Sequence, residues 1–177
     1  RGTALFLDLD VVIVDDITAL RRHEESLRQA ATVFEQTRDG VAITDASARI
    51  IAVNRAFSKI TGYSSEEVVG RNTSLLKSGH HDAAFYAAMW SQLTGKGFWE
   101  GEVCNRRKNG EHYPQWLTIS AVLNERNEIE RYIGVFTDIS RIRNAEAHAE
   151  FIAYHDALTR LPNRSLLNIR YQHALDR

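Results

Sequence analysis

Sulfur and proline are scarce in this chain of 177 residues, which has one cysteine, one methionine and two prolines. A lone Cys104 closes no internal disulfide and supplies no multi-cysteine metal knuckle. With only ten glycines besides, the composition leaves no room for a long disordered linker. An excess of one charge is missing too. Lys and Arg number 22 against 23 Asp and Glu, a net charge of −1, so no broad basic face offers itself to nucleic acid. No apolar run approaches the ~18 residues that span a bilayer, and no signal-peptide pattern opens the chain. The expectation is a cytoplasmic globular protein without nucleic-acid or direct membrane contact, any membrane anchor lying upstream. The first residue is not Met, as expected for a piece of a longer protein.

What is present divides by hydrophobic period. Residues 4–14 are β-rich, and the alternation Leu5, Leu7, Leu9 predicts a strand. From Ile17 the spacing changes to steps of 3, 4, 3, 4 and 3 through Leu20, Glu24, Leu27, Ala31 and Phe34, a largely apolar series interrupted by Glu24. That spacing fits a coiled-coil seam or a helix lying on its own domain. Residues 41–45 and 50–54 read as a hairpin. Phe85, Met89 and Leu93 place one stripe on a helix over 80–93, with Trp90 beside it. Three strands, 98–107, 111–123 and 128–139, follow across short polar turns that include Asn109-Gly110. The class is therefore α+β, an antiparallel sheet with helices on one face.

Between hairpin and long helix lies NRAFSKITGYSSEEVVGRNTSLL, residues 54–76. Several helices of under three turns in 23 residues are unstable alone, so they must lie against the sheet. The wording NRAF…TGY…EE…GRN resembles the PAS sensor domain, over residues 38–140. This implies a five-stranded PAS fold flanked by N- and C-terminal signalling helices. Residues 18–37 are then a connecting helix and 141–155 the signalling helix. An internal similarity extends the picture. Asp16-Ile17-Thr18, Leu20, Arg21 and Glu24 recur 122 positions on as Asp138-Ile139-Ser140, Ile142, Arg143 and Glu146. Residues 1–17 accordingly read as the last strand of a preceding PAS-like domain. At the other end, YHDALTRLPNRSLL (154–167) resembles the opening of GGDEF domains, the diguanylate cyclases that make cyclic di-GMP from two GTP. Residues 156–177 would begin such a domain, with an implied Asp156–Arg164 pairing. Its catalytic loop would fall beyond Arg177, so no catalysis is expected of these residues, and a cyclic di-GMP phosphodiesterase domain in the parent chain stays open.

A PAS pocket lies between sheet and helices. Trp99, Gly101, Val103 and Asn105 share one strand parity. An amide facing a core needs a partner, since burying it unpaired costs about 1–3 kcal/mol. In flavin-binding relatives the residue matching Asn105 bonds the isoalloxazine edge, and Gln115 stands where the light-sensing LOV branch has a second Asn. Trp90 and Trp99 would form an aromatic wall. Thr73 occupies the place of the LOV photoreactive cysteine and Phe136 that of a flavin-contacting Gln. No flavin–cysteine adduct is expected, and the resemblance points to redox-sensing FAD domains, with the cofactor's identity left open. The alternative is that Asn105 satisfies strand backbone and both tryptophans are core. His80-His81 reads as a solvated helix start, because adjacent histidines on a helix point about 100° apart and rarely share an ion. No nucleophile, base and orienting group converge.

The functional expectation is a sensory module that detects a small ligand or redox state. It would control a diguanylate cyclase through the geometry of a homodimer joined by the flanking helices. A cofactor-free dimerisation or protein-interaction module is the alternative.

Overall fold

The structure, a computed structural model, describes residues 3–156, 158–164, 166 and 167, with side chains from Leu20 onward. Five strands form one antiparallel sheet: β1 (Gly40–Asp45), β2 (Ile50–Val53), β3 (Phe98–Arg106), β4 (His112–Leu123) and β5 (Ile129–Asp138). Their order is β2-β1-β5-β4-β3, so the first and last strands of the domain pair at the centre. Between β2 and β3 run α2 (Arg55–Thr61), α3 (Ser65–Val68), a 3-10 turn (Thr73–Leu76) and α4 (Ala83–Lys96). These short helices begin on side-chain caps. Asn54, Asn72 and Asp82 accept from the backbone N–H of Phe57, Ser74 and Phe85. Ser64 and Glu67 form a capping box at the start of α3. Gly97, at φ 79°, ends α4 in the left-handed conformation.

Helices and sheet enclose two apolar clusters. Phe57, Val68, Ile50, Leu76 and Phe136 form one, under α2 and α3. Met89, Leu93, Trp99, Val103 and Tyr132 form the other, under α4. The expected α+β arrangement is thus present.

Residues 4–14 depart from expectation. They form no strand but belong to α1, one helix running from Thr3 to Gln36. The seven-residue series Leu20, Leu27, Phe34 extends backward in the sequence to Ile13 and Phe6. A helix satisfies its own backbone there, whereas a strand would need a neighbour to pair with. The reading of residues 1–17 as the end of a preceding PAS-like domain therefore loses its strand. So does the internal similarity, because Asp138 ends a strand while Asp16 lies within a helix.

Leu20 and Leu27 are 70% and 59% exposed, so the described length of α1 does not bury its seam in its own domain. The helix is fastened at its C-terminal end. Buried Asn54 donates from Nδ2 to the carbonyls of Phe34 (3.0 Å) and Asp39 (2.9 Å). Its Oδ1 accepts from the N–H groups of Val41 and Phe57, each at 2.9 Å. All hydrogen-bonding capacity expected of the amide is used.

After β5, α5 (Ser140–Tyr154) also leaves Ile142 and Ile152 exposed. His155 then bridges to Pro162, and Asn163 accepts from Leu166 N–H, a helix-capping contact. Asp156 does not pair with Arg164 among the described residues. Its Oδ1 accepts instead from the N–H groups of Leu158 and Thr159 and from the Thr159 hydroxyl, which closes the turn locally. Residues 157, 165 and 168–177 of the GGDEF-like stretch lie outside the described residues.

Candidate functional site

The inner face of the sheet and the helical layer enclose a cavity of about 440 Å³, within the range of small-molecule sites. Strand register decides what faces it. Asn105 lies opposite Tyr113, Val103 opposite Gln115, Leu117 opposite Phe136, and Ile119 opposite Gly134. Alternation then turns Asn105 and Val103 of β3, Gln115, Leu117 and Ile119 of β4, and Gly134 and Phe136 of β5 toward the cavity. The helical side supplies Phe57, Thr73, Leu76, Lys77, Tyr86, Met89 and Trp90.

Five of the six residues singled out from the sequence line this space: Asn105, Gln115, Trp90, Thr73 and Phe136. Trp99 does not. It keeps the expected parity, but it lies at the far end of β3, where Leu93 and Phe85 of α4 cover it and its ring lies against Gly101. Phe136 is held by the absence of a side chain at Gly40, where an added Cβ would come within 2.3 Å of the ring, and it meets Phe57 edge-on at 5.8 Å.

The two amides differ in their partners. Buried Gln115 accepts from the Tyr113 hydroxyl at 3.0 Å, which fixes its Oε1 and leaves its NH2 as a donor. The Asn105 side chain bonds to no protein group among the described residues, although Asn105 is buried. It therefore does not satisfy strand backbone. A third polar group is stranded as well. The Tyr86 hydroxyl is buried without a partner among the described residues, and burial raises its pKa above the ordinary 10. It stays a neutral donor at any physiological pH.

The strap before α4 is tied to β3, which is an edge strand. Lys77 bridges Asn105, the Ser78 hydroxyl donates to Cys104 O (2.5 Å), and Cys104 N–H donates to His81 Nε2 (2.9 Å). His81 is thus no solvated residue. It is half-buried and stacked on Phe85, with ring centroids 4.0 Å apart. Burial, with some help from His80, holds its pKa below the usual 6.5 against the opposing Asp82 and Glu102 carboxylates. The neutral ring is the form that accepts from Cys104.

At the exit of the domain, Arg107 collects three elements. It donates to Asp138 Oδ2 (2.5 Å) and to Ile60 O, and it stacks over the Tyr113 ring at 4.0 Å. Asp138 Oδ1 in turn accepts from Ser140 N–H (2.9 Å), at the first residue of α5. Burial alone would raise the Asp138 carboxyl, but the bonds from Ser140 and Arg107 hold it below its ordinary value. Sequence reasoning passed over Arg107, Lys77 and Tyr86. Only Tyr86 carried a signal, because Tyr86, Met89, Trp90 and Leu93 fall at helical steps of 3, 4 and 7.

Among the described residues no cluster of His, Cys, Asp and Glu is arranged to hold a metal, and no helix is long and apolar enough to cross a membrane. A ligand-sized cavity with one unpaired amide is thus joined, through the partly buried Arg107–Asp138 pair, to an outgoing helix. The chain belongs to the PAS domain family, which matches residues 38–141. It is 37% identical over 109 residues to the nitrogen fixation regulatory protein of Klebsiella oxytoca, covering 62% of this chain and 22% of that protein. The blue-light-activated histidine kinase of Rhizobium johnstonii is 31% identical over 121 residues, 67% of this chain and 35% of that protein. The chain thus spans only a minor part of such relatives. A crystal structure of a PAS domain from Colwellia psychrerythraea superimposes with a TM-score of 0.61 at 23% identity, over 65% of this chain and 98% of that one.

Proposed function

We propose that this PAS domain holds a flavin, FAD, in its cavity and reports its redox state to a downstream diguanylate cyclase through the geometry of a homodimer. The observation that carries the reading is the unpaired Asn105 amide beside the Gln115 NH2 on the adjacent strand. An amide offers donor and acceptor together, which matches the alternating carbonyls and nitrogens of an isoalloxazine edge. Leu117, Leu76, Val103 and Trp90 supply the apolar walls that a planar ring system needs. A bound flavin supplies reversible electron-accepting chemistry. With Thr73 at the adduct position, redox state rather than a covalent bond to the protein is the signal.

Asn105 holds the ring edge, and a change in its hydrogen bonding is felt two residues on, at Arg107. Arg107 holds Asp138, and Asp138 caps α5. A ligand state that favours one arrangement of this junction shifts the population of α5 orientations. The exposed Leu20 and Leu27 of α1 and Ile142 of α5 favour pairing of these helices with a second copy. The resemblance of residues 154–167 to the opening of GGDEF domains supports a cyclase as the output, and joining two GTP molecules requires two such domains face to face.

The test is a visible spectrum of the purified protein before and after dithionite. A band near 450 nm (roughly, for oxidised flavin) that bleaches is expected, and Asn105→Ala should diminish it. A colourless protein whose extract contains no flavin by mass spectrometry refutes the flavin reading. It leaves a cofactor-free dimerisation module, which the exposed helix faces already favour.

A further inference from the structure

Lys77 is the sole charged residue lining the cavity, and among the described residues it pairs with no carboxylate. Its ammonium lies 3.9 Å from the centre of the Tyr86 ring. Lys77 is exposed, and this cation–π contact holds its charge beside a cavity-lining ring. Ser74, three residues earlier on the 3-10 turn, lies on the same face as Lys77 and also lines the cavity. The Tyr86 hydroxyl, on the facing helix, is buried without a partner. Among the described residues, one cation, one hydroxyl and one unpartnered phenol thus line a chamber that holds no negative charge.

We propose that Lys77, Ser74 and Tyr86 form an anion subsite, so that the cavity selects aromatic ligands bearing a negatively charged group. The aromatic body occupies the space between Leu76, Met89, Trp90 and the sheet. The anion takes the ammonium of Lys77 and hydrogen bonds from the two hydroxyls. An ionic hydrogen bond is stronger than a neutral one, and more so where water is partly excluded. This inference rests on the reading of the cavity as a ligand site but not on the ligand being a flavin.

Two fluorescent probes of similar shape test it on the 177-residue chain. 8-Anilinonaphthalene-1-sulfonate is an aromatic anion, and N-phenyl-1-naphthylamine is its neutral counterpart. The anionic probe should bind more tightly. Lys77→Met should weaken it about tenfold while leaving the neutral probe within about twofold, and Lys77→Arg should retain the preference. Gly134→Leu supplies the location control. Gly134 lines the cavity, and a Cβ there meets its neighbours, Ala42 O and Leu117, only at ordinary contact distance, 3.8 Å, so a larger side chain there occupies cavity space. It should lower both affinities. Equal affinity of the two probes, or an equal effect of Lys77→Met on both, overturns the anion subsite and leaves the ligand cavity standing. If neither probe binds, or Gly134→Leu leaves both signals intact, the subsite and the ligand-site reading fall together.

Discussion

Replacing Tyr86 by Phe should stabilise the unliganded protein and weaken anionic ligands, two effects of opposite sign from one atom. The ring stays in place with its neighbours, Phe85 at 5.4 Å, His81 at 6.2 Å and Lys77 above its face. Phe and Tyr have similar helix propensity, so α4 is unaffected. What disappears is a buried hydroxyl with no partner. Such a group forfeits its bonds to water on folding and gains none, a penalty of about 1–3 kcal/mol. Removing it should return about 1–2 kcal/mol, or roughly 2–8 °C in Tm for a chain of this length. Urea titrations followed by circular dichroism measure the change, with an unaltered m-value showing that the unfolded state is untouched. The same variant should bind 8-anilinonaphthalene-1-sulfonate about tenfold more weakly, for want of one ionic hydrogen bond. A Tyr86→Phe protein less stable than its parent would mean that the hydroxyl already has a partner, and the reasoning would fail.

Two further outcomes probe the strap and the exit. His81 accepts from Cys104 N–H only when neutral, and its folded pKa lies below the usual 6.5. A released strap therefore takes up its proton first as pH falls through 6.5, so the latch is intact above that value and weakens toward the depressed folded pKa. Amide exchange of Cys104, corrected for intrinsic rates, should accelerate between pH 7.5 and 5.5 (approximate bounds), and it should not in His81→Gln, which keeps an acceptor without the titration. A wild-type profile as flat as that of the variant refutes the latch. Arg107→Met leaves the Asp138 carboxylate without its cation and Ile60 O without its donor, a loss of about 2 kcal/mol. Hydrogen exchange at residues 140–143 should rise well above that at β5. If both rise equally, Arg107 supports the fold without coupling the cavity strand to α5.

Periodicity made most of this fold legible. The five strands and the central helix fall within a few residues of expectation, because alternation and turn residues such as Asn109-Gly110 are local signals. The stretch 4–14 misled because Leu5, Leu7, Leu9, Val11 and Ile13 at every second position mimic a strand over so short a span. The longer seven-residue series settles the matter in favour of helix. In the site, parity pointed to Asn105 and the family resemblance to Gln115, but Trp99 lies outside the cavity lining, since parity says which face a side chain takes and not how far along the sheet a cavity extends. Lys77, Arg107 and His81 owe their positions to partners 9 to 47 residues away in the chain. No local pattern carries that information.

Asn54 makes the domain behave as a keyed shaft. It grips the carbonyl of Phe34, and the neighbouring N–H of Arg55 meets Glu35, so the core reads the rotational phase of the last turn of α1. Every residue inserted upstream in α1 turns whatever precedes it by about 100° relative to the sheet, while seven residues restore nearly the same face. Inserting seven residues into α1 should therefore keep the earlier part of the helix on nearly the same face of the domain, and any other insertion should turn it away.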